Sequence, residues 1–369
     1  MTRNELTRKE LTRKELVDAI ARDDTIEDQD LSGMDLTGLD LSGARFENCL
    51  LAQADFRGAQ IQRTGFNHCV LLGANMSNTD LTQVLWMNMD LTGVNLSGTR
   101  LEKAVLTGAT LTDADLSGAD LTRTVLDNAV LDGARLNKAV LFKTVLFQAS
   151  LKGADLGQAD LTRTVFFKAD LTGANLRGAK VHKAFLRDCA LGGQDFSGGE
   201  FSCVQAGGAD LTGANFSGAD VNRSNFMGAK LIDADFSKAN AFGAVFMEAD
   251  LHRARFGQAV LPNACFEGAR LGGADFTKAR MEQSIMARIV CPGAIFAGAD
   301  CTYCDFSHAD LSAADFTNAK LFRAKMHRVT EEHTNWTGST RDLALGTDRD
   351  LAEAEQWNEN TRKRYTGLG

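Results

Sequence analysis

An apolar residue recurs every five positions, and the register holds from Leu31 to Met326 without a slip. All sixty of these centres are Leu, Ile, Val, Met, Phe or Trp, except Ala206, Ala241, Cys291 and Cys301. Two residues before each centre stands a small residue, usually Ala, as in Ala114-Asp115-Leu116-Ser117-Gly118-Ala119-Asp120-Leu121. Neither regular element accommodates the pattern. Five helical residues advance about 500°, which smears the Leu residues around the cylinder. On a flat strand an odd spacing sends alternate Leu residues to opposite faces. A chain that points one residue in five inward has to bend after each unit. That is a solenoid, in which each repeat buries its apolar side against the next.

Longer correlations give the number of units per coil. Phe fills seven successive centres spaced by twenty, namely Phe196, Phe216, Phe236, Phe256, Phe276, Phe296 and Phe316. A Leu ladder with the same spacing runs from Leu91 to Leu271. Residues twenty apart are therefore neighbours, and a coil holds four pentapeptides and presents four faces. Sixty units make about fifteen coils, or a rod of roughly 70 Å at the strand spacing of β-structure.

The repeat resembles that of the pentapeptide-repeat family, with consensus A(D/N)LXX, over most of the chain. The resemblance implies an all-β solenoid, a right-handed quadrilateral β-helix, with the centre and the residue two before it inside. The expected organisation is an N-terminal capping helix within 1–25, the β-helix over 26–338, and a C-terminal tail over 339–369 with a short helix at Asp350–Asn358. A stacked coil leaves unpaired backbone at both ends, so caps are expected there. The duplicated Leu-Thr-Arg-Lys-Glu of the first 22 residues supplies strong helix formers for one of them.

Composition narrows the function classes. The chain is 44% apolar with a net charge of −8, and no apolar run approaches the roughly 20 residues of a membrane span. Arg3, Glu5, Arg8, Lys9 and Glu10 do not suit a signal peptide. Eight cysteines without such a signal fit a reducing compartment, so the expected location is the cytoplasm.

The outward positions sort into ladders. On the Leu116 face, Asp precedes the centre at 35, 55, 115, 155, 195, 235, 275 and 315. Short polar side chains at turns usually satisfy local backbone donors. On the Leu121 face, two residues after the centre, five consecutive coils carry Lys103, Arg123, Lys143, Arg163 and Lys183. Neighbouring cations at one strand spacing repel by about 1 kcal/mol before screening, partly offset by Asp120 and Asp160. Around the next corner the same coils carry Val105, Val125, Val145, Val165 and Phe185, with Leu85 one coil earlier. Phe142, Phe147 and Phe167 add aromatic surface. This composite strip is the one coherent departure of the outer surface from consensus, and it is the candidate partner-binding site.

Other clusters carry less. Cys301-x-x-Cys304, with Cys291 and His308 near in sequence, has metal-ligand spacing. The fold disperses these residues between core and surface, so no metal or other cofactor is expected. Cys49 and Cys69 stack in adjacent coils, near the separation a disulfide requires, and in a reducing compartment they read as two small buried residues in place of Ala. His68, His182, His252, His308, His327 and His333 show no carboxylate or nucleophile partner in a concavity, so no enzymatic activity is expected.

Two functional classes follow. The first is a rigid scaffold or adaptor that binds a protein through the strip, with a homodimer contact as another use of it. The opening segment, with Asp30-Leu-Ser-Gly-Met-Asp-Leu-Thr-Gly, is similar to repeat segments encoded with type VI secretion systems. That similarity implies an accessory role in effector loading, with a secretion component or cargo effector as partner. The alternative, implied by the family resemblance, is a DNA mimic that binds DNA gyrase. Duplex DNA presents about 40 charges over 70 Å, far more than this chain. A translocated effector is a third option. Direct nucleic-acid or membrane binding is not expected.

Overall fold

The computed structural model describes residues 11–356. The chain forms two compact units, Met1–Phe196 and Ser197–Gly369, and each is built of quadrilateral β-coils. Helix α1 (Arg13–Ala21) is followed by strands β1 (Thr25–Glu27), β2 (Arg45–Glu47) and β3 (Gly65–Asn67), paired in parallel with a register shift of twenty residues. Elsewhere the coils are joined by one-residue parallel rungs at the same twenty-residue offset, such as Asp115 to Arg135 and Asp235 to Arg255. A short 3-10 turn at Arg341–Leu343 and a second helix, α2, over 349–356 complete the described chain.

One repeat shows how the sequence makes the coil. Leu116 points inward and is fully buried, and its N–H donates to the Arg135 carbonyl of the next coil at 2.7 Å. Arg135 N–H donates back to Ala114 O at 2.9 Å. The corner closes when Ala119 N–H donates to Leu116 O at 3.0 Å, with Gly118 at φ +65°. Asp115 Oδ1 accepts Ser117 N–H at 2.9 Å and pins the turn from outside. Backbone bonds therefore run between coils, and every coil needs a neighbour to complete them.

The core differs between the units. In the first it is chiefly Leu over Ala. In the second the Phe ladder continues as parallel stacked rings, with Phe236 to Phe256 at 4.9 Å and Phe256 to Phe276 at 4.8 Å. A second Phe stack meets it edge-on, as in Phe236 against Phe246 at 5.4 Å and 84°.

Both ends of the described chain carry caps. Thr12 and Glu15 form a reciprocal capping box at the start of α1, and Leu16 and Ala19 are buried. Arg13 ties α1 to the first coil through Asp35 at 3.0 Å. Residues 1–10, where the expected helix begins, and the basic stretch Arg362-Lys363-Arg364-Tyr365 lie outside the described residues, as do the last two positions of Asp350–Asn358. At the other end Trp336 stacks on Phe316 at 4.6 Å.

Candidate functional site

The strip belongs entirely to the first unit. Val105, Val125, Val145, Val165 and Phe185 are successive rungs of one ladder that begins at Leu85. Its middle is less exposed than the sequence suggested. The four Val residues are half-buried because each covers the next, while Phe185 at the end is 47% exposed. Behind Val125, Val145 and Val165 the inward position holds Thr instead of Ala. Thr124, Thr144 and Thr164 are fully buried, and their hydroxyls donate to the carbonyls of Leu101, Leu121 and Leu141 at 2.7, 2.6 and 2.6 Å. This internal row of hydrogen bonds fixes the rungs from inside, and periodicity alone gave no sign of it.

Lys103, Arg123, Lys143, Arg163 and Lys183 all sit at coil corners with φ between +56° and +61°. That region favours glycine, which occupies the equivalent corner in many other repeats. Lys103 pairs with Glu102 at 3.3 Å. Among the described residues no carboxylate lies within 4.0 Å of the other four cations. Asp120 and Asp160 do not neutralise the row as expected. Their Oδ1 atoms accept the N–H groups of Thr122 and Thr162 at 2.9 and 3.0 Å instead.

Aromatic rings flank the row. Phe147 and Phe167 stack at 5.5 Å, and Lys168 Nζ lies 5.4 Å from the Phe167 centroid. Lys143 Nζ lies 5.1 Å from the Phe142 centroid. Asp127 Oδ1 accepts Phe147 N–H at 3.2 Å and holds its turn. The result is a column of largely unpaired cations beside half-buried Val, with stacked rings on the far side. Such a surface can bind an acidic, apolar protein face.

The family model for pentapeptide repeats matches residues 30–71, 49–85, 69–108, 88–128, 104–141, 144–182, 209–246, 249–288 and 291–330. The chain belongs to the pentapeptide-repeat family. Its fold is accordingly the right-handed quadrilateral β-helix. No curated protein matches the sequence.

Solved structures similar to this pentapeptide-repeat chain include QnrB1, a plasmid-mediated fluoroquinolone resistance protein, at 22% identity and a TM-score of 0.31, covering 48% of this chain and 82% of that one. HetL, involved in heterocyst differentiation regulation in Nostoc sp. PCC 7120, is 24% identical with a TM-score of 0.19, covering 73% of this chain and 90% of its own. Rfr23 from Cyanothece 51142 is 23% identical with a TM-score of 0.25, covering 30% of this chain and 85% of its own. None of these scores supports an argument about function.

The acidic ladder on the Leu116 face is local clasp work. Asp155, Asp275 and Asp315 each accept the N–H two residues on, at 3.0, 2.8 and 2.9 Å. Arg135 pairs with Asp115 and Arg255 with Asp235, both at 2.9 Å. Burial opposes ionisation of Asp115 and Asp235, yet Ser117 and Ser237, together with these Arg partners, hold both carboxyls below the usual value. A face whose carboxylates are occupied in this way is a weak imitation of a phosphate backbone.

The thiols are also structural. Cys304 Sγ donates to Met281 O at 2.9 Å and Cys291 Sγ to Asp310 O at 3.2 Å, both buried. Burial pushes the Cys189 thiol up to about 12.

The histidines correct an expectation, because His252, His308 and His327 do meet carboxylates. His252 Nδ1 contacts Asp250. His308 Nε2 lies 3.1 Å and His327 Nε2 3.3 Å from the two oxygens of Glu355 on α2. His308, at an outer position of its repeat, is therefore turned toward α2 and half-buried. The three ligand atoms lie within 4.8 Å of one another, a spacing compatible with a metal ion. However, Asp348 N–H donates to His327 Nδ1 at 3.1 Å, which puts the ring proton on Nε2. Metal-bound histidine needs the opposite arrangement. Arg328 also holds Glu355 at 3.1 Å. The cluster is a clasp for α2, made by contacts 28 and 47 residues apart that no repeat specifies.

Proposed function

We propose that this protein is a non-catalytic scaffold that holds a protein partner along the cationic–apolar strip of its first unit. The observation that carries the reading is the row of Arg123, Lys143, Arg163 and Lys183, with no carboxylate within 4.0 Å among the described residues, set beside an unbroken ladder from Val105 to Phe185. Like charges stacked at one strand spacing destabilise the free protein. An acidic partner would relieve that repulsion and cover the Phe147–Phe167 stack at the same time. The similarity of the opening segment to repeat segments of type VI secretion loci supports a cytoplasmic adaptor for a secretion component or cargo effector. The gyrase-binding alternative would have to use the Asp ladder, whose carboxylates already serve the turns.

Affinity capture from the native cell lysate tests the proposal, comparing wild type with Val145→Asp/Phe167→Asp. Asp already occupies equivalent positions elsewhere, at Asp305 and Asp127, so the variant keeps its coils. Secretion components or cargo lost with the variant support the adaptor. A folded variant that retains every partner removes the strip from consideration, and gyrase retained by both proteins favours the mimic.

A further inference from the structure

Within the first unit the ladder parts between the coil that carries Gln60, Gly65 and Val70 and the next one, which carries Asp80, Leu85 and Asp90. Rungs join Asp40 to Gln60 and Asp80 to Arg100, but none joins Gln60 to Asp80, Gly65 to Leu85 or Val70 to Asp90 among the described residues. One coil later the equivalent bonds are intact, with Val105 N–H to Val84 O at 2.8 Å and Thr110 N–H to Met89 O at 2.9 Å. The N–H groups of Leu71, Leu85 and Asp90 have no acceptor across the parted seam, and the carbonyls of Thr64 and Met87 have no donor.

The sequence supplies the cause. Of the inward positions, which mostly hold Ala, two adjacent ones here hold Val84 and Met89, and the centre between them is Trp86. Too much side-chain volume in one coil forces its backbone away from the neighbour. Met89 is left half-buried, and the Trp86 indole N–H is buried without an acceptor.

The parted rungs border a cleft of about 440 Å³, within the range of ligand-binding cavities. Its lining mixes polar Asn67, His68, Asn88 and Asp90 with Leu85, 70% exposed, and Met87, 59% exposed, and the exposed Val70 and Leu72 follow the cleft in sequence. Four large apolar side chains so exposed on two adjacent coils mark an interaction surface.

We infer that this seam is a docking site for an extended peptide, which adds as a strand to the free edge and sets apolar side chains against Val70, Leu72, Leu85 and Met87. A strand supplies both donors and acceptors at β spacing, which the unpaired N–H and carbonyl groups require. The Asp80 and Asp90 carboxylates are engaged in their own turns, each Oδ1 accepting the N–H of Thr82 or Thr92 at 3.0 Å, so the apolar side chains and the unpaired backbone, not charge, select the peptide. The inference is independent of the partner proposed for the strip.

The test selects binders from a display library of random linear decapeptides against the full chain. Peptides with alternating apolar residues are expected, bound at least tenfold more weakly by Trp86→Leu/Met89→Ala, whose smaller side chains let the rungs close. Val145→Asp/Phe167→Asp should bind them as wild type does. Equal binding by the closed variant, loss in the strip variant, or no selected peptide would each overturn the inference. Amide exchange provides a ligand-free check. Leu71, Leu85 and Asp90 should exchange at least tenfold faster than Leu91 and Leu111, and equal protection would show the seam to be closed.

Discussion

The Thr144 hydroxyl donates to the Leu121 carbonyl at 2.6 Å, crossing from one coil to the one before it directly behind the cationic corner Lys143. The bond is buried, and Leu121 O also accepts Thr124 N–H at 2.9 Å. Thr144→Val therefore removes one bond without orphaning the carbonyl. The expected loss is about 1 kcal/mol in chemical denaturation, with partner capture unchanged.

Core and surface changes should separate cleanly. Leu151 is fully buried, so Leu151→Ala is expected to cost about 2–5 kcal/mol through the cavity it leaves. Arg163→Glu faces solvent and should leave the denaturation midpoint within about 0.5 kcal/mol. Its effect should appear in partner association, as a slower on-rate and a weaker salt dependence measured by surface binding kinetics.

Acid should loosen the coils before alkali does. Asp115, Asp235, Asp300 and Asp305 are all held below the usual carboxylate value, with burial opposing the shift and hydroxyls, turn N–H groups and Arg or Lys outweighing it. A depressed carboxyl contributes stability that is present above its unfolded value and is lost as pH falls through the folded one. Melting temperature should hold from pH 7 to about pH 5 and drop steeply below about pH 4. A flat profile down to pH 3 would mean that the Asp clasps contribute little.

Helix α2 should be separable from the coils. Glu355 meets His308, His327 and Arg328 at once, and its carboxyl is held below the usual value by them despite burial. Glu355→Gln removes the charge but keeps the shape. Faster amide exchange confined to 349–356, with coil amides unchanged, is the expected result.

The fold was legible because period five excludes both regular elements and the twenty-residue Phe and Leu ladders count the faces. The strip was legible as an alignment: Val105 through Phe185 do form one ladder. Its exposure was not, since stacking half-buries each Val against the next. Asp120 misled for a related reason. Proximity to Arg123 suggested an ion pair, but Thr122 N–H lies closer at hand and captures the carboxylate. The parted seam had a signal in Val84, Trp86 and Met89, visible only by comparing side-chain volumes at equivalent positions. The clasp at Glu355 had none, because it joins a coil to a helix outside the repeat.

The twenty-residue offset of the rungs sets different rules for change inside and outside. Deleting any multiple of five residues from the first unit keeps Leu over Ala in the core, so the interior accepts it. Five, ten or fifteen would turn every later ladder by one, two or three quarter-turns and scatter the cations over different faces. Only a loss or gain of twenty preserves the strip, shortening or lengthening it by one cation and one Val. The surface is thus quantised four times more coarsely than the core that carries it.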